Sequence, residues 1–274
     1  IKNNSIGLNF IDIYHRTGLY PIPLPSGIGL EACGQIEEVG SEVSLFKVGD
    51  RVTHASMPIG AYSEKQVMPE EKLVLVPDGI SDEVASCITL KGITAEYLLH
   101  RAYPLKKGDK VLYHAAAGAL GQILCPWANA LGAEVIGTVG SEAKEKIARK
   151  NGCHHVINYS EKDFVKEVEK IVGKNGIDVV YDGVGTKTFK GSIETLKIRG
   201  MMVAFGNASG YVDTLDIKKD INAKGLFFTR PSIAHYTVKR EELVESAKKV
   251  FDAILTKKFT VEISKKYSLK DAAQ

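Results

Sequence analysis

Residues 110–121 read Lys110-Val111-Leu112-Tyr113-His114-Ala115-Ala116-Ala117-Gly118-Ala119-Leu120-Gly121, an apolar run that passes into a turn of small residues. Lys110 to His114 predicts a buried strand, residues 120–131 predict a helix, and Glu134 to Val139 predicts the next strand. A β-α-β order with glycines in the first turn is the nucleotide-binding corner of a doubly wound parallel sheet. Ala116 takes the first small-residue place of that corner. Gly118 lets the backbone approach a pyrophosphate, and Gly121 lets helix and strand pack closely. The unpaired N–H groups at the helix start, near Ala119 and Leu120, would receive the phosphate charge.

The second strand of this unit runs out at Gly140, where an NAD-binding enzyme usually carries an Asp or Glu against the adenosine ribose. A missing carboxylate leaves room for a 2′-phosphate. Ser141 and Lys144 add a hydroxyl and a cation at the start of the following helix, so NADPH is expected rather than NADH. Glu142 is discordant unless it points to solvent.

The alternation continues toward the C-terminus. Ser141 is expected to cap a helix reaching Lys150, and His155 to Asn158 reads as a short strand. Ser160-Glu161-Lys162-Asp163 reads as a capping box opening a helix to Val172. Strands over 178–181 and 201–205 flank a helix over 189–196, and each ends in a glycine turn, at Gly183 and Gly185 and then at Gly206. Leu243, Ala247, Val250 and Ile254 share one face of a helix, which assigns them to core packing. On the N-terminal side the texture differs: Pro21, Pro23 and Pro25, then Gly27, Gly29, Gly34, Gly40, Gly49 and Gly60, punctuate short β-like pieces. Those residues predict a mostly β domain, with the change of texture after Gly92.

The chain has 274 residues, about right for two domains of ordinary size. Lys and Arg number 36 against 33 Asp and Glu, and a net charge of +3 gives no field that would draw a nucleic acid or a membrane surface. Cys33, Cys87, Cys125 and Cys153 form no Cys-x-x-Cys pair, so reduced packing thiols are expected, in a cytoplasmic protein. His54, His154 and His155 lack ligand spacing, and His114, inside a strand, reads as structural. Ile1 opens without a methionine, and the capping box Ser268-Leu269-Lys270-Asp271 announces a helix that Gln274 cuts short; segments beyond both ends are expected to be missing.

With these residues in view, the chain resembles the quinone oxidoreductases of the medium-chain dehydrogenase/reductase superfamily, the branch that includes zeta-crystallin. The likeness rests on Gly7-Leu8-Asn9-Phe10-Ile11-Asp12, Arg16-Thr17-Gly18-Leu19-Tyr20-Pro21, Gly49-Asp50-Arg51-Val52, Gly60-Ala61-Tyr62 and Leu90-Lys91-Gly92-Ile93-Thr94-Ala95. It continues through residues 114–121, Val180-Tyr181-Asp182-Gly183-Val184-Gly185, Phe205-Gly206-Asn207 and Thr229-Arg230-Pro231-Ser232. It implies an α/β chain: a GroES-like, mostly β catalytic domain over residues 1–92, a Rossmann domain over 93–232, and a closing segment, 233–274, that returns to the catalytic domain. It also implies about 30 residues missing at the front and a helix and strand missing at the back.

By position, the resemblance places Phe10, Ile11, Asp12, Ile13 and Tyr14 along the nicotinamide, and Gly118, Ala119, Leu120 and Gly121 at the pyrophosphate. Gly140, Ser141, Lys144 and Tyr159 would hold the adenosine phosphate. Tyr97, Val184, Gly206, Asn207, Ala208, Ser209, Pro231, Ser232 and Ile233 would complete the cofactor's surroundings. Zinc-dependent alcohol dehydrogenases of the superfamily hold their catalytic metal with a Cys in the first motif and a His in a Gly-His-Glu triplet. Here Asn9 and Leu30 stand in those places, and no metal is expected.

A quinone is electrophilic without a Lewis acid and asks only for positioning and for hydrogen bonds to the oxygen that gains charge. Asn9 and Tyr14 are expected to supply those bonds, with Lys91 and Thr94 near the cofactor ribose or the acceptor. The expected activity is NADPH-dependent reduction of a quinone or related conjugated carbonyl. Reduction of an activated C=C bond and a non-catalytic NADPH-binding role remain open alternatives. The apolar segment Gly225 to Thr229 suggests strand pairing across a two-fold axis, hence a homodimer.

Overall fold

The computed structural model describes residues 1–273, and the chain falls into two compact units, Ile1–Ile93 with Tyr236–Gln274 and Thr94–His235. Gln274, the last residue of the expected closing segment, lies outside the described residues.

The first unit is built on an antiparallel sheet of β1 (Lys2–Gly7), β2 (Glu31–Gln35), β3 (Arg51–Ala55) and β4 (Val74–Leu75), in that spatial order. Ile36, Phe46, Val52 and Leu73 form a core beside it. A short helix, α1 (Phe10–Arg16), follows β1, and the Asn9 N–H donates to the Asp12 carboxylate at its first turn. Helix α2 (Asp82–Tyr97) runs unbroken through Gly92 and out of this unit. The break expected after Gly92 falls within one residue of this division, inside the helix, and the glycine serves packing, since a Cβ on it would stand 2.5 Å from Val250 Cγ1. Val250 belongs to α8 (Arg240–Leu255), whose Leu243, Ala247 and Val250 are buried as the spacing predicts, with Ile254 half-buried. Arg240 at its start donates to the carbonyls of Glu70 and Leu73, which fastens the returning chain to this unit.

The second unit is a six-stranded parallel sheet in the order β10-β9-β8-β5-β6-β7. Its strands are β5 (Lys110–His114), β6 (Glu134–Val139), β7 (His155–Asn158), β8 (Ile177–Asp182), β9 (Leu196–Ala204) and β10 (Phe227–Thr229). Its helices are α3 (Gly121–Ala130), α4 (Glu142–Lys150), α5 (Phe164–Val172) and α6 (Phe189–Thr195), with α7 (Ile233–Tyr236) following β10. The order reverses direction between β5 and β8. Doubly wound sheets bind their ligands at such a switch, outside the carboxyl ends of the strands. Leu112, Ile136, Val180 and Met202 from four neighbouring strands fill the core beneath it.

Two caps differ from expectation. Asp163 opens α5, its carboxylate accepting the N–H groups of Val165 and Lys166, while Ser160 Oγ turns away to the Gly140 carbonyl at 3.1 Å. Ser141 precedes α4 with extended backbone but makes no side-chain cap bond, which leaves its hydroxyl uncommitted to the helix. Among the described residues no helix is long and apolar enough to cross a membrane.

Candidate active site

In the second unit the turn after β5 is held open by its neighbours. The Ala116 N–H donates to the Thr138 carbonyl at 3.0 Å, and Gly118 N–H closes back on Ala115 at 2.8 Å. Ala115 takes a φ of +61°, which turns the chain so that Gly118 and Ala119 face outward while Ala116 is buried. The N–H groups of Ala119, Leu120 and Gly121 find no hydrogen-bond partner among the described residues. Three unpaired donors at the positive end of α3 make an anion cradle that fits a pyrophosphate.

Beside it, Gly140 ends β6 and the Tyr159 hydroxyl lies over it; a Cβ on Gly140 would stand 2.8 Å from that oxygen. Lys144 is exposed on the first turn of α4, so Gly140, Ser141, Lys144 and Tyr159 gather at the ends of β6 and β7. After β8, Asp182 Oδ1 accepts the N–H groups of Val184 and Gly185 at 2.8 and 3.0 Å, and its Oδ2 takes the Thr188 hydroxyl. The turn so fixed is zipped to the next one: Ala208 N–H reaches the Gly183 carbonyl and Ser209 N–H the Val184 carbonyl, at 3.2 and 2.7 Å. Val184, Gly206, Asn207, Ala208 and Ser209 are thereby brought together, and Pro231, Ser232 and Ile233 follow the end of β10.

Apart from Tyr97 and Thr94, every residue expected in this unit sits at the carboxyl end of a parallel strand. Tyr97 is only 2% exposed on α2, and Thr94 is buried on the same helix. His114 is buried between Thr138 Oγ1 and Ser192 Oγ, each 2.8 Å away, and burial lowers its pKa; its role is structural, as read. Asp182, which organises two of the turns, was not singled out from sequence. An acidic residue closing an apolar strand just before Gly-x-Gly was the available signal.

In the first unit, Asn9 is buried between Leu8 and Phe10, both more than half exposed. Its amide is fully engaged: Nδ2 donates to Glu31 Oε2 at 2.7 Å and weakly to the Gly7 carbonyl at 3.4 Å, while Oδ1 accepts from Lys91 Nζ at 2.7 Å. Asn9 is therefore reassigned from donor to the acceptor molecule to linker between Glu31 and Lys91. Phe10, Ile11, Ile13 and Tyr14 lie on α1 with Phe10 outermost, and the Tyr14 ring stands 5.2 Å from Phe10 and 5.0 Å from Tyr20. Asp12 is buried and takes the Tyr62 hydroxyl at 3.2 Å; burial raises its pKa against the pull of that bond and of the Asn9 N–H. Burial likewise raises the pKa of Glu31, with Lys91, Asn9 and the Leu90 N–H opposing it.

The two positions where zinc-dependent relatives place ligands fit no metal here. Leu30 has no donor atom and the Asn9 amide is bound on both ends. Among the described residues no group of three or more His, Cys, Asp or Glu could hold an ion.

Residues 1–102 match the alcohol dehydrogenase GroES-like domain, and residues 119–254 match the zinc-binding dehydrogenase domain. Over its full length the chain is 46% identical to 2-haloacrylate reductase of a Burkholderia species, covering 84% of that protein. With quinone oxidoreductase 1 of Escherichia coli strain K12 it is 46% identical over 99% of this chain and 84% of the other. The chain belongs to the quinone oxidoreductase family. A crystal structure of Escherichia coli quinone oxidoreductase complexed with NADPH superposes with a TM-score of 0.95, covering 99% of this chain and 84% of that one.

Proposed function

We propose that this protein reduces quinones with NADPH by hydride transfer and without a metal ion. The observation that carries the reading is the run of unpaired N–H groups at Ala119–Gly121 beside a strand end, Gly140, that lacks a carboxylate and is flanked by Ser141, Lys144 and Tyr159. When bound, NADPH supplies the hydride. The turns after β5, β8 and β9 bind and orient it, and Lys144, Ser141 and Tyr159 take the 2′-phosphate.

On the first unit the exposed Leu8 and Phe10, with Tyr14 behind, offer an apolar and aromatic surface against which a planar acceptor packs. Tyr14 donates a hydrogen bond to the acceptor oxygen.

Lys144→Ala is expected to weaken NADPH at least tenfold, the loss of one charge-assisted phosphate bond, and to leave NADH unchanged. Fluorescence titration checks this, and equal weakening of both cofactors would remove Lys144 from the phosphate site.

A second reading, reduction of an activated C=C bond, is favoured by the likeness to 2-haloacrylate reductase. The two are separated by kcat/KM for 1,4-benzoquinone against 2-chloroacrylate with NADPH in excess. The quinone is expected to win by at least tenfold, and the reverse order would establish the second reading. The protein works in the cytoplasm as a homodimer, with β10 at the sheet edge and its Phe227 and Phe228 exposed as the pairing surface. Sedimentation of a species of one chain's mass would reject that assembly.

A further inference from the structure

Glu31 opens β2 with a side chain that is 0% exposed, and each partner it meets is a donor. Oε1 takes the Leu90 N–H at 2.7 Å, and Oε2 takes Asn9 Nδ2 at 2.7 Å and Lys91 Nζ at 3.4 Å. Room for this carboxylate is made by Gly7, where a Cβ would stand 2.4 Å from Oε2 and 1.9 Å from the Ser86 carbonyl. Lys91 Nζ is in turn held by Asn9 Oδ1 at 2.7 Å and, more loosely, by the Leu8 carbonyl at 3.2 Å. Three chain segments, the start of β2, the turn before α1 and the middle of α2, therefore meet at one ammonium group.

The residue types suit that purpose. An amide at position 9 offers an oxygen to the ammonium and an N–H to the carboxylate at once; an aspartate there would press two carboxylates together, and a cysteine thiol would be a weak partner to either group. A buried carboxylate is tolerated when donors satisfy it and a cation balances it. Lys91 remains 15% exposed, so part of its side chain faces outward beside the exposed Leu8 and Phe10.

We propose that Lys91 is the resident cation of this active site and that Glu31 is its positioning residue. The idea rests on the reductase reading above. Hydride transfer adds two electrons and one hydrogen to the acceptor, and its oxygen becomes negative. The Lys91 ammonium exchanges its loose bond to the Leu8 carbonyl for that oxygen, and the second hydrogen arrives as a proton from water. Glu31 acts through Lys91 and Asn9, fixing the ammonium before the charge develops.

The test uses the full chain with two acceptors, 1,4-benzoquinone and 2-chloroacrylate, because both leave negative charge on oxygen. The neutral pair Glu31→Gln/Lys91→Met removes both charges and leaves no buried ion alone. It is expected to fold, to bind NADPH with unchanged Kd, and to lose about a hundredfold in kcat/KM for whichever acceptor the wild type reduces. Lys91→Ala is expected to recover part of its turnover with added ethylamine and none with tetramethylammonium, a response that a purely structural lysine would not give. Glu31→Gln alone is expected to lower kcat about tenfold at unchanged NADPH Kd.

A neutral pair with wild-type kcat/KM, or amine-insensitive turnover in Lys91→Ala, overturns the proposal. Wild-type reduction of 2-chloroacrylate alone would overturn the quinone reading and leave the cation proposal decided by the same variants. Turnover of neither acceptor by the wild type overturns both.

Discussion

Alanine at position 121 is expected to destabilise the NADPH-binding unit by roughly 1–3 kcal/mol, the usual effect of one methyl forced into a filled space. Gly121 is buried at the first position of α3, and a Cβ there would stand 2.4 Å from the Ala116 oxygen, 2.7 Å from its carbonyl carbon and 2.8 Å from its Cα. All three are backbone atoms, so no side chain can swing aside. Ala116 is itself held, by its N–H on Thr138 and by Gly137, where a Cβ would meet the Ala116 methyl at 2.6 Å.

Relief must come from moving α3 away from the sheet, which carries the N–H groups of Ala119–Gly121 out of register. The melting temperature should fall by roughly 2–10 °C, and the NADPH dissociation constant should rise at least tenfold. Gly40→Ala serves as the control, since its Cβ would meet nothing nearer than Val43 Cγ2 at 3.9 Å. Calorimetry with a cofactor titration reads both effects. Unchanged values for Gly121→Ala would mean that the close approach is not needed.

Aspartate at position 140 is expected to weaken NADPH at least a hundredfold, about 2.7 kcal/mol, without producing an NADH enzyme. The loss follows from setting a carboxylate against the 2′-phosphate. The missing gain follows from Tyr159. Its hydroxyl would lie 2.8 Å from the new Cβ and blocks the space a carboxylate needs to reach the ribose hydroxyls. The ring is half exposed and can turn away, so the protein should still fold. Gly140→Asp/Tyr159→Ser should then prefer NADH over NADPH. Titration of the wild type and the two variants with both cofactors decides it, and a preference for NADH in Gly140→Asp alone would remove Tyr159 as the gate.

Much of the second unit was legible because its sequence signals are local. Lys110–His114, Glu134–Val139 and His155–Asn158 are strands with the bounds read from sequence, since each is a β-branched apolar run closed by a polar or glycine turn. The cap of α5 failed where two candidates competed in four residues: Ser160 is drawn to the Gly140 carbonyl, and Asp163 is left nearest the free N–H groups. The boundary read after Gly92 falls next to the observed division between Ile93 and Thr94, but inside a helix rather than a linker. A helical glycine looks like a boundary from sequence, and only the approach of Val250, far along the chain, explains it. Helix α1 went unread because seven residues with two aromatics carry no clear period, and its first turn is fixed by the Asp12 carboxylate.

The candidate site divides the same way. Gly118, Gly121, Gly140 and Lys144 were visible because backbone approach and charge at a helix start leave a signature in residue type. Glu31 follows Leu30 in the sequence without a local motif of its own, and its meaning depends on Asn9 and Lys91, 22 and 60 residues away. A buried carboxylate in a strand is a signal, but its partners are supplied by the fold.

Metal-free transfer of hydride from NADPH to a quinone can be followed by the absorbance of the cofactor. The direct measurement is NADPH oxidation at 340 nm by purified protein, dialysed against a chelator and then given 1,4-benzoquinone. Saturable turnover that survives chelation, with NADH a much poorer donor, is the predicted result. A rate no faster than the protein-free control, or one lost to the chelator and restored by zinc, would contradict the account.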